Sequence, residues 1–229
     1  MKRAVIGVDI GGSKIRVGVW HRGALEKNSQ VGLPDSLDEF CDLLTAMLTD
    51  LGSSQSAVGI GVAGVVSDTK VAICPNISYL NDFDFQTLFK NRSVRVDNDA
   101  RCAARGHLSY VRETERVLVI TIGTGVGRAL TQNGRVVTLK EFEYPEKWEP
   151  EYQSYGRKSD QDLCLFLAPK IDDLAKKCKA ERIIIGGGKG SEIAFYNQLS
   201  AGLKKHNLPT GLIKRPDDIG VIGASLLFE

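Results

Sequence analysis

The chain has 229 residues, 42% of them hydrophobic, 25% charged and 7% aromatic, which excludes a disordered tail, a collagenous repeat and a small disulfide scaffold. Thirty Lys and Arg against 28 Asp and Glu leave a net charge of +2 with the signs interspersed, so no strong field points to nucleic acid. Apolar runs are only a few residues long, and the stretch after Met1-Lys2-Arg3 meets Asp9 too early for a signal-peptide core, so a cytoplasmic protein without a membrane partner is expected.

The first predicted element is a hairpin: a β-branched strand at Ala4-Val5-Ile6-Gly7-Val8, a turn at Gly11-Gly12 and a returning strand from Ile15 to Trp20. From Asp35 to Leu51 the apolar residues Leu37, Phe40, Leu44, Met47, Leu48 and Leu51 keep helical spacing, and Ser36 with Glu39 forms a capping-box pattern. A strand from Ala57 to Val62, a polar turn at Ser67-Asp68-Thr69-Lys70 and Val71-Ala72-Ile73 read as a second hairpin. Val94-Arg95-Val96 runs into Asn98-Asp99, which opens an alanine-rich helix over Ala100 to His107. Val117 to Thr121 is again a strand, followed by a turn at Gly123-Thr124-Gly125 and a returning strand. Lys140 to Gly156 reads as a long acidic loop, and Ser159 to Ala180 as helix broken or kinked at Pro169. A short buried strand, Ile183-Ile184-Ile185, ends in Gly186-Gly187-Gly188, and two further helical patterns close the chain.

The five cysteines, Cys41, Cys74, Cys102, Cys164 and Cys178, form no C-x-x-C pair, and the three histidines are far apart. Small core hydrophobes are expected, with neither a disulfide framework nor a zinc site.

Ile6 to Gly12 matches Leu118 to Thr124 at an offset of 112 residues, and each hairpin is followed by a turn glycine, Gly23 and Gly134. This reads as a duplication that gives two lobes facing a cleft, residues 1–97 and 98–229, with the last helix able to pack back on the first lobe. A glycine hairpin tip bares consecutive backbone N–H groups, which make a nest for phosphate oxygens. Asp9, just before the first tip, can hold magnesium directly or through water. Asp99 opens a helix, so it can be an N-cap, a part Asn98 fills equally well, or the base that takes a proton from an attacking hydroxyl. Two lookalikes are rejected. Gly59-Ile60-Gly61-Val62-Ala63-Gly64 fits a dinucleotide fingerprint but leads into a strand, not a helix, and Gly188-Lys189 lacks the remaining residues of a Walker A loop.

Val8-Asp9-Ile10-Gly11-Gly12-Ser13-Lys14-Ile15 resembles the first phosphate motif of the ROK sugar kinases, in the actin, sugar kinase and Hsp70 superfamily. Val96-Asp97-Asn98-Asp99-Ala100, with Ala103-Ala104, is similar to their catalytic-aspartate motif, and Thr121 to Gly127 resembles the second phosphate motif. Ile183 to Gly188 looks like the adenosine segment, and Ile222-Gly223-Ala224 like the closing helix. The resemblance implies an α/β, two-lobed, actin-like (ribonuclease H-like) ATPase fold from a duplicated mixed-sheet unit. It also implies ATP and Mg2+ as cofactors, with Gly11, Gly12, Ser13, Lys14, Gly123, Thr124 and Gly125 on the phosphates and Gly186, Gly187 and Gly188 on the nucleotide. Asn98 and Asp99 would contact a sugar, Asp99 as general base, and Glu141 and Glu151 fall where the family keeps two sugar-binding glutamates. The family's zinc-ligating histidine is replaced by Tyr144 and its cysteine cluster is missing, so no zinc is expected. Arg101 and Arg128 stand where the family has small or neutral residues.

The expected function is transfer of the terminal phosphoryl of ATP to a hydroxyl of a hexose or hexose-derived sugar, of glucose or N-acetyl amino-sugar type, with lobe closure excluding water. The alternatives are a kinase for a sugar acid such as 2-keto-3-deoxygluconate and a non-catalytic sugar or nucleotide sensor. The expected partners are a small-molecule sugar and ATP, with room for a homodimer. Arg101 and Arg105 lie roughly 200° and 240° around their helix from Asp99, so both should face away from the reacting hydroxyl; Arg128 is the better candidate partner for an acid.

Overall fold

The computed structural model describes residues 4–51, 56–139, 146–155, 158–204 and 208–229. The chain opens with β1 (Val5–Ile10), β2 (Lys14–His21), β3 (Ala24–Gly32), α1 (Leu37–Asp50) and β4 (Ala57–Val62). Next come β5 (Val65–Ser67), β6 (Lys70–Ile73), the single turn α2 (Phe85–Leu88), β7 (Val94–Asn98) and α3 (Asp99–Leu108). The second half holds β8 (Val117–Ile122), β9 (Val126–Gln132), β10 (Arg135–Val137), α4 (Glu149–Tyr155), α5 (Asp160–Lys177), β11 (Arg182–Gly186), α6 (Ile193–Lys204), β12 (Thr210–Leu212) and α7 (Ile219–Ser225).

Two five-stranded sheets share one topology, with strand orders β3-β2-β1-β4-β7 and β10-β9-β8-β11-β12. In each, the meander is antiparallel and the crossover strands run parallel to the first strand. β1 and β8 occupy the same place in the two sheets and begin 112 residues apart, at Val5 and Val117, which is the offset of the sequence repeat. The repeat extends to the turns. Arg22-Gly23 and Asn133-Gly134 each join paired strands through two residues with positive φ (53° and 83°; 52° and 70°), the geometry that suits the right-handed twist of a hairpin.

The chain divides into two units, residues 1–106 with 218–229, and residues 107–217. The expected boundary after residue 97 lies inside the first unit, which also contains Asp99 and α7. The core of the first unit packs Phe40, Leu44, Leu48 and Phe85 against Ile6, Val8, Ile60 and Val62. That of the second packs Leu167, Ile171, Phe195 and Leu199 against Leu118, Ile120, Ile183 and Ile185. Four of the cysteines are buried and Cys41 is half-buried, all with free thiols.

Four sequence expectations change. The second hairpin pairs β5 with β6, while Ala57–Val62 is a central parallel strand, because the chain bends sharply at Gly64, where a Cβ would strike the Ile73 carbonyl. The capping pattern of α1 forms only its forward half among the described residues, Glu39 N donating to Ser36 Oγ at 3.4 Å. Pro169 does not break its helix: α5 runs unbroken because Pro169 and Leu165, whose carbonyl loses its usual donor, both face solvent. Part of the expected loop is α4, whose Pro150 sits in the first turn, where a missing N–H costs nothing, with Glu149 and Glu151 at the favourable end of the helix dipole. No helix of the described residues is long and apolar enough to cross a membrane.

Candidate active site

In the first unit the parallel strands β1, β4 and β7 run in register, Asp9 beside Gly61 and Gly61 beside Asp97, so Asp9 and the start of α3 share the carboxyl edge of the sheet. That edge is where open α/β sheets bind ligands. Gly61 makes the close approach of α3 feasible: a Cβ there would meet Cys102 Cβ and Sγ at 3.1 Å and Asp99 Cα at 3.5 Å. The first and second glycines of the rejected fingerprint, Gly59 and Gly61, are thus packing glycines, Gly59 lying under the Ala224 carbonyl of α7.

Asn98, not Asp99, caps α3. Its Oδ1 accepts from Ala100 N at 3.0 Å and Arg101 N at 3.3 Å, while its Nδ2 donates to Gly64 O at 3.1 Å. Asp99 accepts from Ala100 N through Oδ1 at 2.8 Å, and Oδ2 makes no protein hydrogen bond among the described residues. Burial pushes the Asp99 carboxyl up to about 7, and the Asp9 charge adds to the rise against the opposing Ala100 N–H bond and Arg101. Burial also raises Asp9, opposed by Arg16, its cross-strand partner, whose Nη1 lies 3.4 Å from Asp9 Oδ2. The first tip follows directly: Gly11 N donates to Lys14 O at 3.0 Å, and the Ser13 and Lys14 side chains are exposed. On the other side of Asp9, a Cβ at Gly220 of α7 would stand 2.5 Å from the carboxylate.

In the second unit, the tip Gly123-Thr124-Gly125 closes on a Gly123 N–H to Gly125 carbonyl bond of 2.9 Å, and a Cβ at Gly123 would touch nothing. The Gly186–Gly188 turn lies against the end of β8. Lys189 N and Gly190 N donate to Ile122 O at 3.0 and 3.1 Å, and Gly187, at φ +82°, comes so near Ile122 that a Cβ would meet its backbone at 2.5 Å. The structure therefore brings Gly123, Thr124 and Gly125 together with Gly186, Gly187 and Gly188 in this unit, and Asp9, Asn98, Asp99 and the first tip together in the other. Glu151 is exposed on α4 of the second unit, whereas Glu141 and Tyr144 lie outside the described residues.

The arginines are committed. Arg101 Nε and Arg105 Nη2 both bind the Asp97 carboxylate, Arg105 at 2.9 Å, and the Arg101 charge also acts on Asp99, opposing the rise of its carboxyl. Arg128, with only 4% of its side chain exposed, pairs with Glu149 of α4. Sequence reasoning missed Gly220, Arg16 and the α4 residues Tyr152 and Gln153, which bind the Gly123 and Thr124 carbonyls. Arg16 alone left a signal, since the hairpin register that pairs Ile10 with Ile15 puts it opposite Asp9. Among the described residues, no group of three or more His, Cys, Asp or Glu side chains converges as a metal site.

A model of the ROK family matches residues 5–140. The N-acetyl-D-glucosamine kinase of Escherichia coli O6:H1 is 32% identical over 147 residues, which cover 59% of this chain and 48% of that protein. The chain thus spans about half the length of the curated relatives it matches. Among solved structures, the inorganic polyphosphate/ATP-glucomannokinase of Arthrobacter sp. strain KM matches with a TM-score of 0.83 at 22% identity, over 99% of this chain and 98% of that one. The ROK family glucokinase of Streptomyces griseus, in complex with glucose and AMPPNP, matches with a TM-score of 0.80 at 20% identity, over 98% and 99% respectively. These likenesses show the fold, the mixed α/β, actin-like architecture.

Proposed function

The chain belongs to the ROK family, and from that premise we propose that it is a cytoplasmic, ATP-dependent kinase that phosphorylates a hydroxyl of a neutral hexose or N-acetyl amino sugar. The observation that carries this reading is Asp99: a carboxyl raised to about 7, whose Oδ2 makes no protein hydrogen bond among the described residues, at the sheet edge that also bears Asp9 and the first glycine tip. A base poised near neutrality can take the proton of an attacking hydroxyl without being fully protonated at working pH. The capping duty falls to Asn98, which holds the start of α3 and leaves Asp99 to the substrate.

Magnesium fits the first unit. The Asp9 charge helps raise the Asp99 carboxyl, Arg16 is the cation beside Asp9, and Mg2+ is commonly held by one or two carboxylates plus substrate phosphates and water. Asp9 would hold it, through water, and the ion would supply charge neutralisation for the phosphates. Gly12, Ser13 and Lys14 in the first unit, and Thr124 and Gly125 in the second, would offer N–H and side-chain donors to phosphate oxygens, while Gly11 and Gly123 would line the phosphates with their N–H groups closing the two tips, and Gly186–Gly188 would lie beside the nucleotide. Asn98 would steer the sugar through its remaining amide hydrogen, and Glu141 and Glu151 would accept from sugar hydroxyls.

The neutral sugar is favoured because all three candidate cations for a substrate carboxylate already have carboxylate partners: Arg101 and Arg105 on Asp97, Arg128 on Glu149. Taking Arg128 from Glu149 would leave a buried ion pair broken, which costs about 3–5 kcal/mol. The test is a coupled assay for ADP release with glucose, N-acetylglucosamine, mannose and 2-keto-3-deoxygluconate, in ATP and magnesium. A neutral sugar should give the highest kcat/KM; the highest value for the sugar acid would overturn the substrate class. Sugar binding without ADP release would make the protein a sensor instead. A zinc-selective chelator should leave melting temperature and turnover unchanged, and stoichiometric zinc in the purified protein would contradict this.

A further inference from the structure

α4 is fastened to the β8–β9 hairpin at three points. Glu149 pairs with Arg128 of β9 and also accepts from Glu146 N at 2.8 Å. The buried Tyr152 donates its hydroxyl to Gly123 O at 2.6 Å, and Gln153 Nε2 donates to Thr124 O. The last two bonds act on consecutive peptide units of the second tip. In a planar trans peptide the carbonyl of one residue and the N–H of the next point in opposite directions. Fixing Gly123 O therefore fixes the Thr124 N–H, and fixing Thr124 O fixes the Gly125 N–H, both turned away from α4. Neither N–H donates to protein among the described residues, while the Gly123 N–H is spent inside the tip. Without the two side chains, a tip of two glycines and a threonine could rotate these peptides at little cost.

We infer that Tyr152 and Gln153 are positioning residues, which preset the Thr124 and Gly125 N–H groups as a pair of donors for the nucleotide's phosphate oxygens. The inference rests on the nucleotide reading of the second tip. Burial keeps the Tyr152 hydroxyl protonated, its pKa pushed up to about 12, so it remains a donor throughout the working range. Preorganised donors matter most where charge builds up, because they need no reorganisation when the phosphoryl moves. α4 also carries the exposed Glu151, so the helix proposed to meet the sugar is the one that sets the phosphate donors.

The experiment measures AMPPNP binding calorimetrically with the full chain in magnesium buffer, without sugar, together with the KM values for ATP and for sugar. Tyr152→Phe removes one hydroxyl, and Gln153→Glu puts an acceptor opposite the Thr124 carbonyl at an exposed position that folding tolerates. Each should weaken AMPPNP by roughly five- to twenty-fold and raise the KM for ATP in parallel, leaving the KM for sugar within about two-fold. If both variants bind AMPPNP within about two-fold of the parent, or lose only kcat with both KM values unchanged, the inference is overturned. If Tyr152→Phe does not fold, Gln153→Glu decides alone. A parent that binds no AMPPNP fails differently: the nucleotide reading falls, and this inference with it.

Discussion

Asp99→Asn lowers kcat by roughly 10² or more while AMPPNP affinity stays unchanged, because general-base contributions run at about 10² to 10⁴. The substitution is nearly isosteric, and its amide oxygen still accepts from Ala100 N, so α3 keeps its start. In the parent, kcat/KM should rise with pH through an acid limb near 7, since burial and Asp9 hold the Asp99 carboxyl at about 7 and only the ionised form can accept a proton. Stability should move the other way. A carboxyl whose folded pKa exceeds its unfolded value binds protons more tightly in the folded state, so it destabilises the fold as pH rises from about 4 to about 7, and the penalty is complete above that window. The neutral amide of the Asp99→Asn variant carries no such penalty. That variant should therefore melt higher than the parent at pH 8, by roughly 2–4 °C for each kcal/mol regained, with the gap closing near pH 4. Turnover near the parent rate would reduce Asp99 to a helix-start residue. A variant that melts lower at pH 8 would mean that its charge is compensated in the fold.

The residues of this site differ in how far they could be read from sequence, for physical reasons. The two glycine tips and the pair Asn98-Asp99 stand out because local chemistry marks them: a β-branched strand, a glycine turn and a returning strand need no tertiary contact to be seen. The repeat was legible for the same reason, and the shared strand orders of the two sheets agree with it. The division of labour between Asn98 and Asp99 was not, since both residue types cap helices equally well and only the hydrogen bonds distinguish them. That α5 continues through Pro169 without a break is not legible, because it depends on whether the orphaned carbonyl meets solvent. Tyr152 and Gln153 were invisible because they bind backbone carbonyls about 29 positions away, and a carbonyl leaves no trace in a sequence. Gly220 was hidden too: what it makes room for, the Asp9 carboxylate, lies at the other end of the chain.

Gly223→Ala is expected to be the most damaging single methyl in the first unit. α7 is wedged between the sheet and α3, and glycine lines both sides of the wedge. Gly7 and Gly59 let the Val221 and Ala224 carbonyls lie on β1 and β4, while Gly106 and Gly223 let α7 meet α3 backbone to backbone. A Cβ at Gly223 would fall inside the Cys102 carbonyl oxygen and 2.9 Å from Gly106 N, and neither is a side chain that can swing aside. The two helices must separate, at the upper end of the overpacking range of about 1–3 kcal/mol or beyond it, which corresponds to a fall in melting temperature of at least roughly 6–12 °C. Gly220→Ala, one turn earlier in the same helix, should behave differently. Its Cβ would meet Asp9 Cγ and Oδ2 at 2.5 Å, atoms on a side chain that can rotate. The fold can yield there by turning Asp9 away from Arg16 and from the edge of the sheet. Gly220→Ala should therefore lose turnover out of proportion to its melting temperature, while in Gly223→Ala the thermal loss comes first. Thermal melts and steady-state rates on the two variants separate the cases, and a Gly220→Ala protein with parental kcat would show that the placement of Asp9 is not what α7 secures.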